Sequence, residues 1–186
     1  MDKMQEFLQL MEAESSSVIS QFVMYKCFNG MSFREVRDWL EENGLDRHAM
    51  LELRSTEIAI VTPNGVMLQK RIADEGKLGL FGGVLSHEEE PRDGAVREIR
   101  EKLGVNVDPY SLLFAGYNLH EHTYSNGDKV LFHAYRYVLK IYGIPVVRPD
   151  EEASGVEFVT TVKSEIIEHQ QQFVGDALSG KFDENR

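Results

Sequence analysis

A stretch from Gly82 to Val105 limits what this chain can build more than any other part of it. Gly82-Gly83 opens the stretch. Gly83 is followed by five residues, Glu89, seven more, and then Arg97-Glu98-Ile99-Arg100-Glu101-Lys102-Leu103-Gly104-Val105. Paired glycines let the backbone turn sharply and approach a ligand closely. Pro91 suits the first turn of a helix, where its missing N–H costs nothing. From there Ala95, Val96, Ile99 and Leu103 recur at helical period and form one apolar stripe. Glu98, Glu101 and Lys102 share a different face, and Gly104 is a C-terminal stop. A glycine turn that leads into a carboxylate-bearing helix can offer a backbone carbonyl and side-chain oxygens to a hard cation. Mg²⁺ favours such oxygens, in company with substrate phosphates. The plainer reading is a solvated helix face, on which Glu98 and Lys102 form an i,i+4 pair worth about 0.2–0.5 kcal/mol.

The rest of the chain divides near Glu52–Thr56. Residues 1–54 read as a helical extension and residues 55–186 as the main domain. Met4–Phe28 is rich in helix formers, with Ser15-Ser16-Ser17 as a break, and Asn29-Gly30 ends it. Ser32 and Glu35 are spaced as a capping box for a helix that carries Phe33, Val36, Trp39 and Leu40. Asn43-Gly44 stops that helix, and Asp46–Leu53 reads as one more short helix. The stretch from Gly30 to Gly44 has the outline of a helix-turn-helix, but the segment carries more acids than bases. A recognition surface for DNA would be basic. The extension is therefore read as a cap on the main domain, or as the dimerisation element of a homodimer.

Beyond residue 56 the pattern turns to strands. Ile58–Val61 and Val66–Leu68 flank a turn at Pro63-Asn64-Gly65. Ser111–Tyr117, Asn118–Tyr124 and Lys129–Ile141 follow, the last two joined through Ser125-Asn126-Gly127-Asp128. Val156–Val159 is another strand. Ile166, Ile167, Gln170, Phe173, Val174, Ala177 and Leu178 mark a final amphipathic helix that Gly180 stops. His120 and His122 alternate on one strand face, with His133 across the hairpin. Tyr124 and Phe132 could stack on a ring, although strand aromatics more often pack.

The Gly83–Val105 pattern resembles the signature of the Nudix hydrolases, G-x5-E-x7-R-E-U-x-E-E-x-G-U, where U is a bulky aliphatic residue. One fixed position departs from it: Lys102 stands for the last glutamate. The resemblance covers about residues 56–180. It implies an α/β fold, a Nudix-like α/β/α sandwich with a mixed sheet, to which the helical extension is added. It also implies hydrolysis of a pyrophosphate bond in a nucleoside diphosphate derivative or nucleoside triphosphate, assisted by Mg²⁺ or Mn²⁺. By position, Glu98 and Glu101 match acidic metal-binding residues of the signature helix, and the Gly82 carbonyl matches a common backbone ligand. Arg97 orients a glutamate, and Glu89 is a supporting carboxylate and metal-site residue. Catalytic roles fall to Glu98, Glu101 and Arg97. Substrate contacts fall to Lys102 and to His87 in the signature loop.

Lys102 leaves three arrangements open. A loop glutamate completes the metal site, with Glu151, Glu152 and Glu157 as an acidic loop in the right region. Lys102 grips substrate phosphate as a point charge. Or the fold binds nucleotide without hydrolysing it. Subgroup signals for ADP-ribose, coenzyme A or NADH are not visible.

Composition narrows the partners. The formal charge of −11 over 186 residues argues against electrostatic attraction to nucleic acid or anionic membranes. Cys27 is the only cysteine, so there is neither a disulfide framework nor a cysteine zinc site. With no long apolar span and no secretion signal, a cytoplasmic protein acting on a nucleotide-type small molecule is expected.

Overall fold

A computed structural model describes residues 16–86, 88–124, 126–143, 145, 147 and 152–183. Its sheet is organised around β1 (Leu51–Thr62), a strand buried on both faces through residues 55–60. Such a strand needs apolar side chains pointing both ways, and the run Ile58-Ala59-Ile60 supplies them. β1 turns through a two-residue loop into β2 (Gly65–Arg71), with Thr62 paired to Gly65. Gly65 adopts φ 109°, and a Cβ there would lie 2.2 Å from the Val159 carbonyl oxygen, so glycine is required.

β3 (Leu78–Gly79) and β4 (Phe81–Val84) are short. They lead to helix α3 (Pro91–Leu103), so numbered because α1 (Ser16–Phe28) and α2 (Phe33–Glu42) precede the sheet. β5 (Leu113–Thr123) and β6 (Lys129–Lys140) form a long hairpin, and β7 (Ala153–Val159) precedes α4 (Glu168–Leu178). The strand order is β3-β2-β1-β6-β5, with β4 on β1 and β7 on β2. β1 and β6 run parallel from Leu51↔Val130 to Val61↔Lys140, and the other strand pairs are antiparallel. The sheet is therefore mixed, as expected.

Helices cover both faces. On one, α3 sets Ala95, Ile99 and Leu103 against Ile58, Ile60, Phe81 and Leu139. On the other, α4 sets Phe173, Val174 and Ala177 against Ala59, Leu68 and Val138. A third core joins Phe22, Val23, Val36 and Leu40 of α1 and α2 to Leu51, Leu53 and Val130 of the sheet. Phe33 and Trp39 pack at its margin. The N-terminal helices thus lie on this chain's own sheet.

One buried side chain ties them down. Arg37 of α2 donates to the carbonyls of Ala49 at 2.9 Å and Lys129 at 3.2 Å, and to that of Arg47. It lies 3.9 Å from Asp128. α2 itself begins with the anticipated capping box between Ser32 and Glu35.

Two expectations are corrected. Asp46–Leu53 is not a helix: strand begins at Leu51, with Leu51 and Leu53 buried and Glu52 exposed between them. Pairing with Val130 and Phe132 overrides the helix-forming composition there. Ser111–Tyr117 and Asn118–Tyr124 are not two strands, since β5 is continuous and absorbs a register shift between Phe114 and Gly116. α1 starts at Ser16, and the Met4–Ser15 part of the expected helix lies outside the described residues.

Candidate functional site

The floor of the site is where β4 meets β1 and α3. Glu57 pairs with Gly82, and Thr56 with Gly83. Gly82 adopts φ 141°, and a Cβ there would fall 1.9 Å from the Thr56 carbonyl oxygen. A Cβ on Gly83 would fall 2.2 Å from Oε1 of Glu98. The two glycines therefore make room, one for the neighbouring strand and the other for a carboxylate.

Arg97 gathers the acids. Its Nε and Nη2 donate to the two oxygens of Glu89 at 2.8 and 2.9 Å, a bidentate pair. Nη1 donates to Glu98 at 2.7 Å and to Glu101 at 3.1 Å, and Nη2 also reaches the Val84 carbonyl at 3.2 Å. Glu89 in turn accepts from the Ser86 amide. Burial pushes the Glu89 carboxyl up, but the Arg97 and Ser86 hydrogen bonds outweigh it and hold it below its ordinary range. For Glu98 the balance reverses: burial dominates and raises it, against the pull of Lys102 and Arg97. The guanidinium itself is raised, chiefly by its hydrogen bond to Glu89.

Lys102 points into the same space. Its Nζ lies 3.9 Å from Oε2 of Glu98 and forms an ion pair with Glu152. Glu152 is one of the loop acids the sequence suggested, and it lines the cleft; Glu151 lies outside the described residues. Glu157 faces away, paired with Lys70 and Lys163. His87 also lies outside the described residues.

Gly82, Glu98 and Glu101 all line one cleft of about 770 Å³. Thr56 lines it too, and its buried hydroxyl has no hydrogen-bond partner among the described residues. An oxygen-rich donor set beside a glycine cradle and an unsatisfied hydroxyl fits a hard divalent cation. The Lys102 ammonium competes for one of those oxygens.

A second polar group sits along the cleft, and no motif announced it. Glu57 accepts from Arg136 Nε at 2.8 Å, from Gln170 Nε2 at 2.9 Å, and lies 3.2 Å from His169 Nε2. Burial raises its carboxyl, but the His169 and Arg136 contacts win and draw it down to about 2. The His120 ring stacks on His169 with centroids 3.7 Å apart and planes 20° from parallel. Burial, then the neighbouring His169, lowers His120 to about 4. Ligand atoms of Glu57, His120 and His169 come within 4.8 Å of one another. However, lone pairs in near-parallel rings run side by side and do not converge on one ion. Arg136 and Gln170 already satisfy the carboxylate. The cluster is a hydrogen-bonded network as it stands. One signal could have flagged it: a glutamate inside a buried strand needs partners. His122 faces the cleft with His120, whereas His133, opposite Leu119, is on the other face of the sheet.

The far end of the cleft is lined by Met24, Cys27, Met31 and Phe33 from the N-terminal helices, with Tyr124 and Phe132 from the β5–β6 hairpin.

Comparison with known proteins places this geometry. The protein-family model of the NUDIX domain matches residues 51–172. A MutT protein from Methanosarcina mazei Go1 is similar in structure, at a TM-score of 0.54 and 18% identity, over 73% of this chain and 99% of that one. The dihydroneopterin triphosphate pyrophosphohydrolase of E. coli has a TM-score of 0.51 at 13% identity, over 67% and 92%. A NUDIX-family hydrolase from Clostridium perfringens has a TM-score of 0.50 at 16% identity, over 73% and 98%. At these identities the likeness concerns the fold. No curated protein matches the chain. Among the described residues, no helix is long and apolar enough to cross a membrane.

Proposed function

Because the chain belongs to the Nudix family, whose model spans residues 51–172, we propose that it hydrolyses a pyrophosphate bond in a nucleoside triphosphate or nucleoside diphosphate derivative with the help of Mg²⁺ or Mn²⁺. The observation that carries this reading is the Arg97 fork, which holds Glu89, Glu98 and Glu101 together beside the glycine cradle. Glu98, Glu101 and the Gly82 carbonyl would hold the cation, with Glu89 supporting them through Arg97. When bound, such an ion neutralises phosphate charge and makes an attacking water more acidic. The chain's own part is to keep the carboxylates charged and aligned. Arg97 does so by giving each acid an N–H donor, which at Glu98 works against the burial that raises its carboxyl. Residues 1–54 serve as a cap on the domain of residues 55–186.

A second reading has its own observation. Lys102 supplies a positive charge 3.9 Å from Glu98, where the signature has an acid. A protein of this kind would bind nucleotide without cleaving it. A panel of nucleotides incubated with Mg²⁺ or Mn²⁺ separates the two readings. Metal-dependent release of nucleoside monophosphate supports the enzyme. Nucleotide binding by calorimetry with no product supports the binder.

A further inference from the structure

The cleft has two chemically different ends. One carries Arg97, Lys102 and the glycine turn, groups suited to phosphate. The other is walled by Met31 and Phe33 of the α1–α2 segment, facing Tyr124 and Phe132. Phe33 and Tyr124 already contact each other, with ring centroids 5.5 Å apart. That segment lies outside residues 51–172, which the family model matches, so this wall is an addition of this chain.

We infer that the α1–α2 segment sets substrate specificity by holding a planar heteroaromatic ring of the substrate against Met31 and Phe33, while its phosphates lie at the Arg97–Lys102 end. This rests on the proposed pyrophosphate chemistry and says what the phosphates are attached to.

Three features support the assignment. The walls are sulfur-bearing and aromatic, surfaces that receive a π-face well, and methionine adapts its shape to the guest. Arg71 and Asp74, which also line the cleft, are 3.5 Å apart and offset each other. His120 and His122 are both held below their ordinary range by burial, and burial pushes Tyr124 up to about 12. All three rings are therefore neutral near pH 7, so this end offers no net positive charge to a second phosphate group. His120 already contacts Asn118 at 3.1 Å and His122 lies 3.6 Å from Asp74, so the Tyr124 hydroxyl is the group that a ring with hydrogen-bonding edges would engage and an alkyl group would not.

The test compares inorganic tripolyphosphate with the four common ribonucleoside triphosphates, each with Mg²⁺, by calorimetry on the full chain. Wild type is expected to bind at least one nucleotide more tightly than tripolyphosphate. In Met31→Ala and Phe33→Ala the preference, taken as the ratio of the two dissociation constants, should fall about tenfold, as expected for one lost apolar contact. Circular dichroism and the unfolding midpoint establish that each variant is folded. If Phe33→Ala loses its fold, Met31→Ala alone decides, because Phe33 also packs on Tyr124 and Arg37. A nucleotide preference unchanged in the folded variants overturns this inference and leaves the pyrophosphate reading standing. A wild type that binds no nucleotide more tightly than tripolyphosphate overturns this inference as well, while the pyrophosphate reading is decided separately by product release from the nucleotide panel.

Discussion

Lys102 shows how much one side chain can decide. Replacing it with glutamate changes the local charge by two units beside Glu98. One unit pair at about 4 Å is worth on the order of 4 kcal/mol at an effective dielectric near 20, and solvent around the half-exposed Glu152 will reduce it. Lys102→Glu is expected to bind Mn²⁺ more tightly than wild type in calorimetry. Equal affinities would show that the ammonium does not govern the cation site. Arg97 is the converse case, a cation that serves several acids. Arg97→Lys keeps the charge but loses the planar fork that bonds Glu89 through two donors. Leaving partly buried carboxylates short of donors should cost about 3 kcal/mol, read as a lower denaturant midpoint; an unchanged midpoint would contradict the role given to the fork. Cys27, half-buried in the cleft wall, reports on the same cleft. Burial raises its thiol to about 11 from an ordinary 9.0. The reactive thiolate at pH 8 should then be about a hundredfold rarer than in the unfolded chain. Maleimide labelling should be correspondingly slow until denaturant is added.

At the level of elements, β4 is the most exacting. Gly82→Ala drives a methyl group into the Thr56 carbonyl at 1.9 Å in a backbone conformation that side chains rarely adopt. The strand must shift away from β1 and take the Gly82 carbonyl with it. A loss of about 1–3 kcal/mol in stability is expected, with metal affinity falling alongside; a variant as stable as wild type would show that β4 can rearrange freely. Elements whose signals are local were legible in the sequence. α3 begins at Pro91 and is closed by Gly104 in a left-handed conformation, as its spacing indicated. The β1–β2 turn and the Ser32 capping box were equally plain. What local signals do not carry is pairing. Leu51 and Leu53 looked helical because their strand partners, Val130 and Phe132, are far away in sequence. Of the residues the motif names, Arg97 bonds Glu89, Glu98 and Glu101, and Gly82 lines the same cleft as Glu98 and Glu101. The Glu57–His169–Gln170 network was not named, because its members belong to opposite halves of the chain and carry no shared motif.

The whole molecule hangs on β1, which contributes to all three cores. Its Glu57 makes acid stability a global property. The folded carboxyl lies near 2, below an ordinary value of 4.5. Its contribution is therefore fully present above about pH 4.5 and is lost as pH falls toward 2, on the order of 3 kcal/mol in all. Glu57→Gln should flatten that limb of a melting-temperature-against-pH curve; an identical limb would assign the acid sensitivity to other groups. Removing residues 1–50 would uncover Leu51, Leu53 and Val130, which are buried against α1 and α2. The truncated chain is expected to aggregate or to melt well below the full chain, and a monodisperse truncation of unchanged melting temperature would contradict the third core. Arg37 adds a matter of timing. Its carbonyl partner on Lys129 is 92 residues further along. A ribosome adding roughly 5–20 residues per second needs on the order of 5–20 seconds to make that stretch. Throughout that interval Phe22, Val23 and Leu40 have only β1 to dock on and lack β6, whose Val130 completes their core. The newborn chain should therefore present a sticky leading segment that captures holdase chaperones, and crosslinking on stalled ribosomes should show the capture ending once β6 has emerged.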